Sequence, residues 1–126
     1  MDQLVEHFEQ SVRAVALQEQ LQVAIVYEDV FATTYNDVEA TALVLSALRN
    51  TGTPYQVLSR PMRWSEDFGV YGQIAKSAMF VLGAGRDHPQ LHDSNYDFPD
   101  ELIATGAQIF VQIVQEVLDR WNEALA

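Results

Sequence analysis

The hydrophobic period changes several times along this chain, and that constrains its fold more than any other feature. Over residues 2 to about 20, Leu4, Val5, Phe8, Val12 and Val15 recur at spacings of one, three and four. That spacing places them on one face of a helix, with Glu, Gln and Arg opposite. Leu21, Val23, Ile25 and Tyr27 then alternate with Gln22, Ala24, Val26 and Glu28, a period of two that predicts a strand to about Phe31. The helical period returns after Asn36 or Asp37, either of which suits an N-cap, and runs through Val38, Ala42, Leu45 and Leu48 to about Arg49. The cluster Asn50-Thr51-Gly52-Thr53-Pro54 ends it.

Residues 55–59 read as a short strand, and Ser65 with Asp67 nearby starts a short helix through Ile74. Residues 77–82 read as a fully buried strand, closed by the Gly83-Ala84-Gly85 turn. Residues 86–98 are polar, aromatic and irregular, and loops of that length are disproportionately functional. Pro99 suits the first turn of a last helix, in which Leu102, Ile103, Gly106, Phe110, Ile113, Val114, Val117 and Trp121 hold helical spacing. Gly106 within that stripe suggests the close approach of another backbone. Helices alternating with strands predict an α/β fold, with helices packed on a small mixed sheet in one compact unit.

Composition narrows the function. A chain of 126 residues with 48% hydrophobic content is the size of one domain. Eighteen Asp and Glu against seven Lys and Arg give a formal charge of −11, which repels phosphate backbones and anionic lipid, so neither nucleic acid nor membrane is an expected partner. The chain has no cysteine, which excludes disulfides and thiolate metal sites. Its first residues lack a basic stretch followed by an apolar run, and no segment approaches the roughly 18 apolar residues of a membrane span. A soluble protein of the cytoplasm is the expectation.

Two clusters stand apart from core patterning. One is Arg63-Trp64-Ser65-Glu66-Asp67-Phe68-Gly69, and the other runs from Gln90 through Leu91-His92-Asp93 and Tyr96-Asp97-Phe98 to Asp100. Taken in order, Ser65-Glu66-Asp67-Phe68, Phe80-Val81-Leu82-Gly83-Ala84-Gly85, Leu91-His92 and Tyr96-Asp97-Phe98 resemble the carboxy-terminal part of the zinc-dependent amidohydrolase, aminoacylase and carboxypeptidase family, peptidase family M20. The likeness is to its hippurate hydrolase and auxin-conjugate hydrolase group. Tyr35-Asn36-Asp37 is similar to the Asn-Asp that opens the returning helix of the catalytic domain. The resemblance runs over roughly residues 33–118, and residues 1–32 are similar, by pattern alone, to the last helix and strand of the lid domain. It implies that residues 33–126 correspond to the carboxy-terminal part of a zinc-exopeptidase-like catalytic domain.

The resemblance implies a metal role for His92, as the last ligand of a two-zinc site, and a neutral imidazole is a usual zinc donor. Glu66 and Asp67 either orient ligands or cap a helix start. Asn36 touches substrate or, the better reading, caps its helix. Trp64 and Arg63 line a substrate pocket or cover the core, while His88 and His7 read as exposed. The implied activity is metal-dependent hydrolysis of N-acyl amino acids or small peptides. The residues in hand hold no His-Xaa-Asp, no Glu-Glu pair and no candidate general base. Two functions follow: a carboxy-terminal portion of such a hydrolase, inactive alone, or a non-catalytic interaction module derived from the same fold. The expected partners are a second copy of the chain or a chain carrying the amino-terminal catalytic half.

Overall fold

The computed structural model describes residues 2–64 and 66–126, so Ser65, the expected start of the short helix, lies outside the described residues. Its elements are α1 (Asp2–Gln18), α2 (Val38–Asn50), a 3-10 helix (Asp67–Gln73) and α3 (Glu101–Leu125). The chain divides into two units, Met1–Val30 and Phe31–Ala126.

In the first unit, α1 ends where Gln20 turns left-handed at φ 54. The Leu21 amide then reaches back to the Ala16 carbonyl and the Gln20 amide to that of Leu17. This double bond pattern satisfies carbonyls that the helix end would otherwise leave open. The Tyr27 hydroxyl returns to α1 by donating to Glu9 Oε1 at 2.8 Å. That hydrogen bond raises the pKa of Tyr27, because losing the proton would also lose the bond to a carboxylate. Leu4, Val5, Phe8 and Tyr27 line an apolar cleft of about 380 Å³. The helical stripe is there, but Leu4 and Phe8 remain 69% and 62% exposed, and only Ala16 of α1 is buried.

The core of the second unit is the contact of α2 with α3. Ala47, Leu48 and Ile109 are buried there, Ile109 completely. Helix α2 is capped at both ends as its sequence demands. The Asp37 carboxylate accepts from the amides of Glu39 and Ala40, both at 2.9 Å. At the other end Gly52 takes φ 67, which a glycine adopts without strain, and lets the Thr53 amide reach the Leu48 carbonyl.

Glu116 ties the two helices beside this core, accepting from Asn50 Nδ2 at 2.8 Å and from Gln112 Nε2 at 3.3 Å. Burial raises its pKa, but hydrogen bonds from Ser46, Gln112 and Asn50 and the charge of Arg120 outweigh burial and hold it below the ordinary value. A folded-state pKa below the unfolded one contributes stability above the unfolded value of about 4.3, lost as pH falls through the folded value. Glu116→Gln is therefore expected to lose about 0.5 kcal/mol at neutral pH, after screening by solvent, and little or nothing under acid conditions. Thermal unfolding of both proteins from neutral pH into acid checks this, since parallel curves would exclude the linkage.

The expected α/β class is not what forms. The described residues contain three α-helices and a 3-10 helix, with no strand and no sheet. Residues 21–31, 55–59 and 77–82, each expected as a strand, pair with nothing in a ladder. Alternating side chains report which faces want burial, whereas a strand also needs a neighbouring backbone to bond. Among the described residues, no backbone hydrogen bond joins any two of these three segments. Residues 77–82 lie instead against helices. Phe80 stacks on Phe110 of α3, with centroids 5.6 Å apart, and a Cβ on Gly106 would sit 3.1 Å from a Leu82 methyl. Gly106 thus admits a side chain rather than the expected backbone.

Candidate functional site

Apart from His7, which is exposed on α1, the residues singled out in sequence fall at three places in the second unit. The first is the start of α2. Asn36 does not cap it; Asp37 does. The Asn36 amide instead clamps one peptide of the 77–82 segment, donating through Nδ2 to the Met79 carbonyl at 3.0 Å and accepting through Oδ1 from the Met79 amide at 2.9 Å. Next to it the Asp37 amide donates to the Ser77 carbonyl at 2.9 Å. A side-chain amide has one donor and one acceptor spaced like those of a peptide, so Asn36 supplies the pairing that a neighbouring strand would have given Met79.

The second place is the 3-10 helix. The Glu66 carboxylate accepts from the Asp67 amide at 3.0 Å, the capping contact, and Asp67 adds a negative charge to the first turn. Trp64 is 53% exposed. Gly69, which closes the first cluster but had no role of its own in sequence, is buried against the 31–33 backbone, where an added Cβ would collide with Ala32 and Thr33. Its only signal was its place one residue after Phe68. The contact shapes a cleft of about 350 Å³ whose polar groups come from Thr33, Tyr35, Asp37, Gln73, Lys76 and Ser77. Lys76 Nζ reaches Glu39 Oε1 at 2.6 Å, and this hydrogen-bonded pairing raises the lysine pKa, so the ammonium stays charged beside the cleft.

The third place is the long loop. His92 is exposed and left-handed, at φ 73, a conformation rare for a residue with a side chain. The turn that holds it is closed by the Asp93 amide on the Gln90 carbonyl at 2.9 Å. Asp93 also accepts twice, from the Asn95 amide through its carboxylate and from the Tyr96 amide through its carbonyl. The residues expected to form an irregular loop thus make consecutive turns. His88 is half-buried rather than exposed, its ring edge-on to Tyr96 at 5.2 Å, with Nδ1 3.0 Å from the Pro89 carbonyl oxygen.

The test of a metal centre is whether donors converge. Catalytic zinc takes three protein ligands and structural zinc four. Among the described residues, no three His, Asp or Glu side chains come close enough together to hold an ion. His92 offers one imidazole to solvent, and Glu66 is engaged with a backbone amide. The residues present do not fit a zinc site, and no proton transfer or carbonyl polarisation follows from their arrangement. No helix among the described residues is long and apolar enough to cross a membrane.

No curated protein and no solved structure gives a significant match to the chain. The family model for peptidase family M20/M25/M40 matches residues 3–116.

Proposed function

This chain belongs to peptidase family M20/M25/M40, and from that premise we propose that it is the carboxy-terminal portion of a metal-dependent amidohydrolase of N-acyl amino acids or small peptides, inactive by itself. The observation that carries this reading is the order of the motifs Ser65-Glu66-Asp67-Phe68, Leu82-Gly83-Ala84-Gly85, Leu91-His92 and Asp97-Phe98, set against the absence of a convergent donor set among the described residues. In the same reading residues 1–32 correspond to the end of the lid domain and residues 33–126 to the catalytic domain. His92 is the one residue assigned as a metal ligand. It stands ready on its turn, and the remaining donors and the general base come from a partner chain.

The isolated chain with zinc or cobalt is expected to leave N-acetyl and N-benzoyl amino acids intact. Mixed with a chain bearing the His-Xaa-Asp and Glu-Glu motifs, it is expected to restore turnover that His92→Ala abolishes. Turnover by the isolated chain that survives repurification and is lost in His92→Ala would refute the claim of inactivity. Restored turnover indifferent to His92 would refute its assignment. A second reading, an interaction module without catalysis, is favoured by the extent of apolar surface left open on α3, where Phe110, Val114 and Trp121 are 60%, 56% and 66% exposed. Failure of complementation together with stable association of the two chains would select it.

A further inference from the structure

The backbone of residues 77–82 is bonded along one side only. On that side the Ser77 carbonyl accepts from the Asp37 amide, and both backbone groups of Met79 are held by the Asn36 side chain. In an extended backbone the N–H and C=O of one residue point to the same side, and those of the next residue point to the other. Residues 77 and 79 turn theirs toward Asn36 and Asp37, so Ala78, Phe80 and Leu82 turn theirs away. Among the described residues, Asn36 and Asp37 make the only hydrogen bonds to this backbone, and the opposite edge has none. Ala78, Phe80 and Leu82 are half-buried, so the edge is reachable. Solitary edges are usually guarded by proline or by charge, and Ser77-Ala78-Met79-Phe80-Val81-Leu82 contains neither.

We propose that the edge formed by Ala78, Phe80 and Leu82 receives an extended segment of a different protein chain, which adds to it as a strand. The proposal does not depend on the hydrolase reading, since the edge is defined by its own backbone. Donors and acceptors that recur at every second residue, roughly 6.6 Å apart, match another extended backbone. A helix spends its backbone groups internally and cannot supply them.

Side chains and charge narrow the occupant. Phe80 stacks on Phe110 and Leu82 lies against Gly106, so α3 lies under one face of the segment. On the opposite face Val81 is 53% exposed, and the incoming strand therefore carries an apolar residue beside it. Charge decides against a second copy, because each chain bears −11 and two copies repel. A segment flanked by lysine or arginine is instead drawn in, and Lys76 beside the edge is already paired with Glu39.

The probe is a peptide of alternating threonine and valine with a lysine at each end, titrated into the full chain. It is expected to bind with a dissociation constant below about 1 mM. Hydrogen exchange resolved by residue should slow at the amides of Ala78, Phe80 and Leu82 and not at that of Val81. N-methylation of alternate peptide nitrogens separates backbone pairing from apolar burial, because only one of the two alternate sets faces the edge. One methylated peptide is expected to bind about tenfold more weakly or worse, and the other to bind as before. Exchanging the terminal lysines for glutamates should weaken binding about threefold at low salt. Ala78→Pro removes a donor from the edge and should weaken the unmethylated peptide about tenfold, while the methylated pair tests the wild-type chain and needs no variant to fold. Absence of binding, equal effects of the two methylated sets, or a glutamate-ended peptide that binds as tightly would overturn the proposal. Slow exchange at Ala78, Phe80 and Leu82 in the chain alone, deepening with its concentration, would give the edge to a second copy and overturn it too.

Discussion

Ile109→Ala is expected to cost the second unit about 3 to 5 kcal/mol, most of what holds it folded. Ile109 has no exposed surface and is the one large side chain that the described residues bury completely. Its neighbours in the core, Ala47 and Leu48, sit on α2, so the cavity opens at the contact that joins the two helices. Removing three carbon atoms there forfeits their transfer free energy and leaves a hole that two capped helices cannot easily close. Urea or thermal unfolding followed by helical circular dichroism should show the midpoint falling sharply or the transition losing cooperativity. Val57→Ala serves as the control, because Val57 is 69% exposed and a comparable truncation there should change stability by less than about 0.5 kcal/mol. Similar losses from the two variants would mean that α2 and α3 do not depend on this contact.

Gly69→Ala is expected to release the 31–33 segment from the 3-10 helix, at a cost of about 2 to 3 kcal/mol. The added methyl would meet the main chain of Ala32 and Thr33, with the Thr33 carbonyl carbon 2.9 Å away, and backbone cannot rotate aside as a flexible side chain does. The cleft beneath Tyr35 and Lys76 is built on this contact, so its lining should open as well. Hydrogen exchange should accelerate over residues 31–37 and 67–75 while the Ala47–Ile109 region of α2 and α3 keeps its protection. Gly83→Ala is the matched control, since nothing lies within 4 Å of the Cβ it would add. Unchanged exchange in Gly69→Ala would show that the close approach is not needed to hold the segment.

These effects bear on function through one arrangement. Asn36, Asp37 and Gly69 hold residues 31–37, the 3-10 helix and the start of the 77–82 segment around one cleft. The loop that carries His92 is built separately, from its own turns around Asp93 and the His88–Tyr96 contact. The imidazole is therefore presented by local structure, and among the described residues no assembled metal centre surrounds it.

By itself the sequence determined what depends on neighbours along the chain. The helical stripes over α1, α2 and α3, a cap at Asn36 or Asp37 and the glycine stop at Gly52 are visible because each needs only residues within about one turn, though only the structure chose Asp37 over Asn36. The family was legible for a related reason, since its motifs are short and keep their order. Tertiary structure alone decided the rest. Whether residues 21–31, 55–59 and 77–82 become strands depends on a bonding partner that no local pattern encodes, and the chain supplied Met79 with the side chain of Asn36 instead. Which apolar face of α3 would be covered was equally hidden, because Ile109 and Phe110 are adjacent and similar in hydrophobicity, yet one is fully buried and the other 60% exposed. The convergence of donors around His92 was the furthest beyond reach, because coordination is set by distances in space, and among the described residues no such convergence occurs.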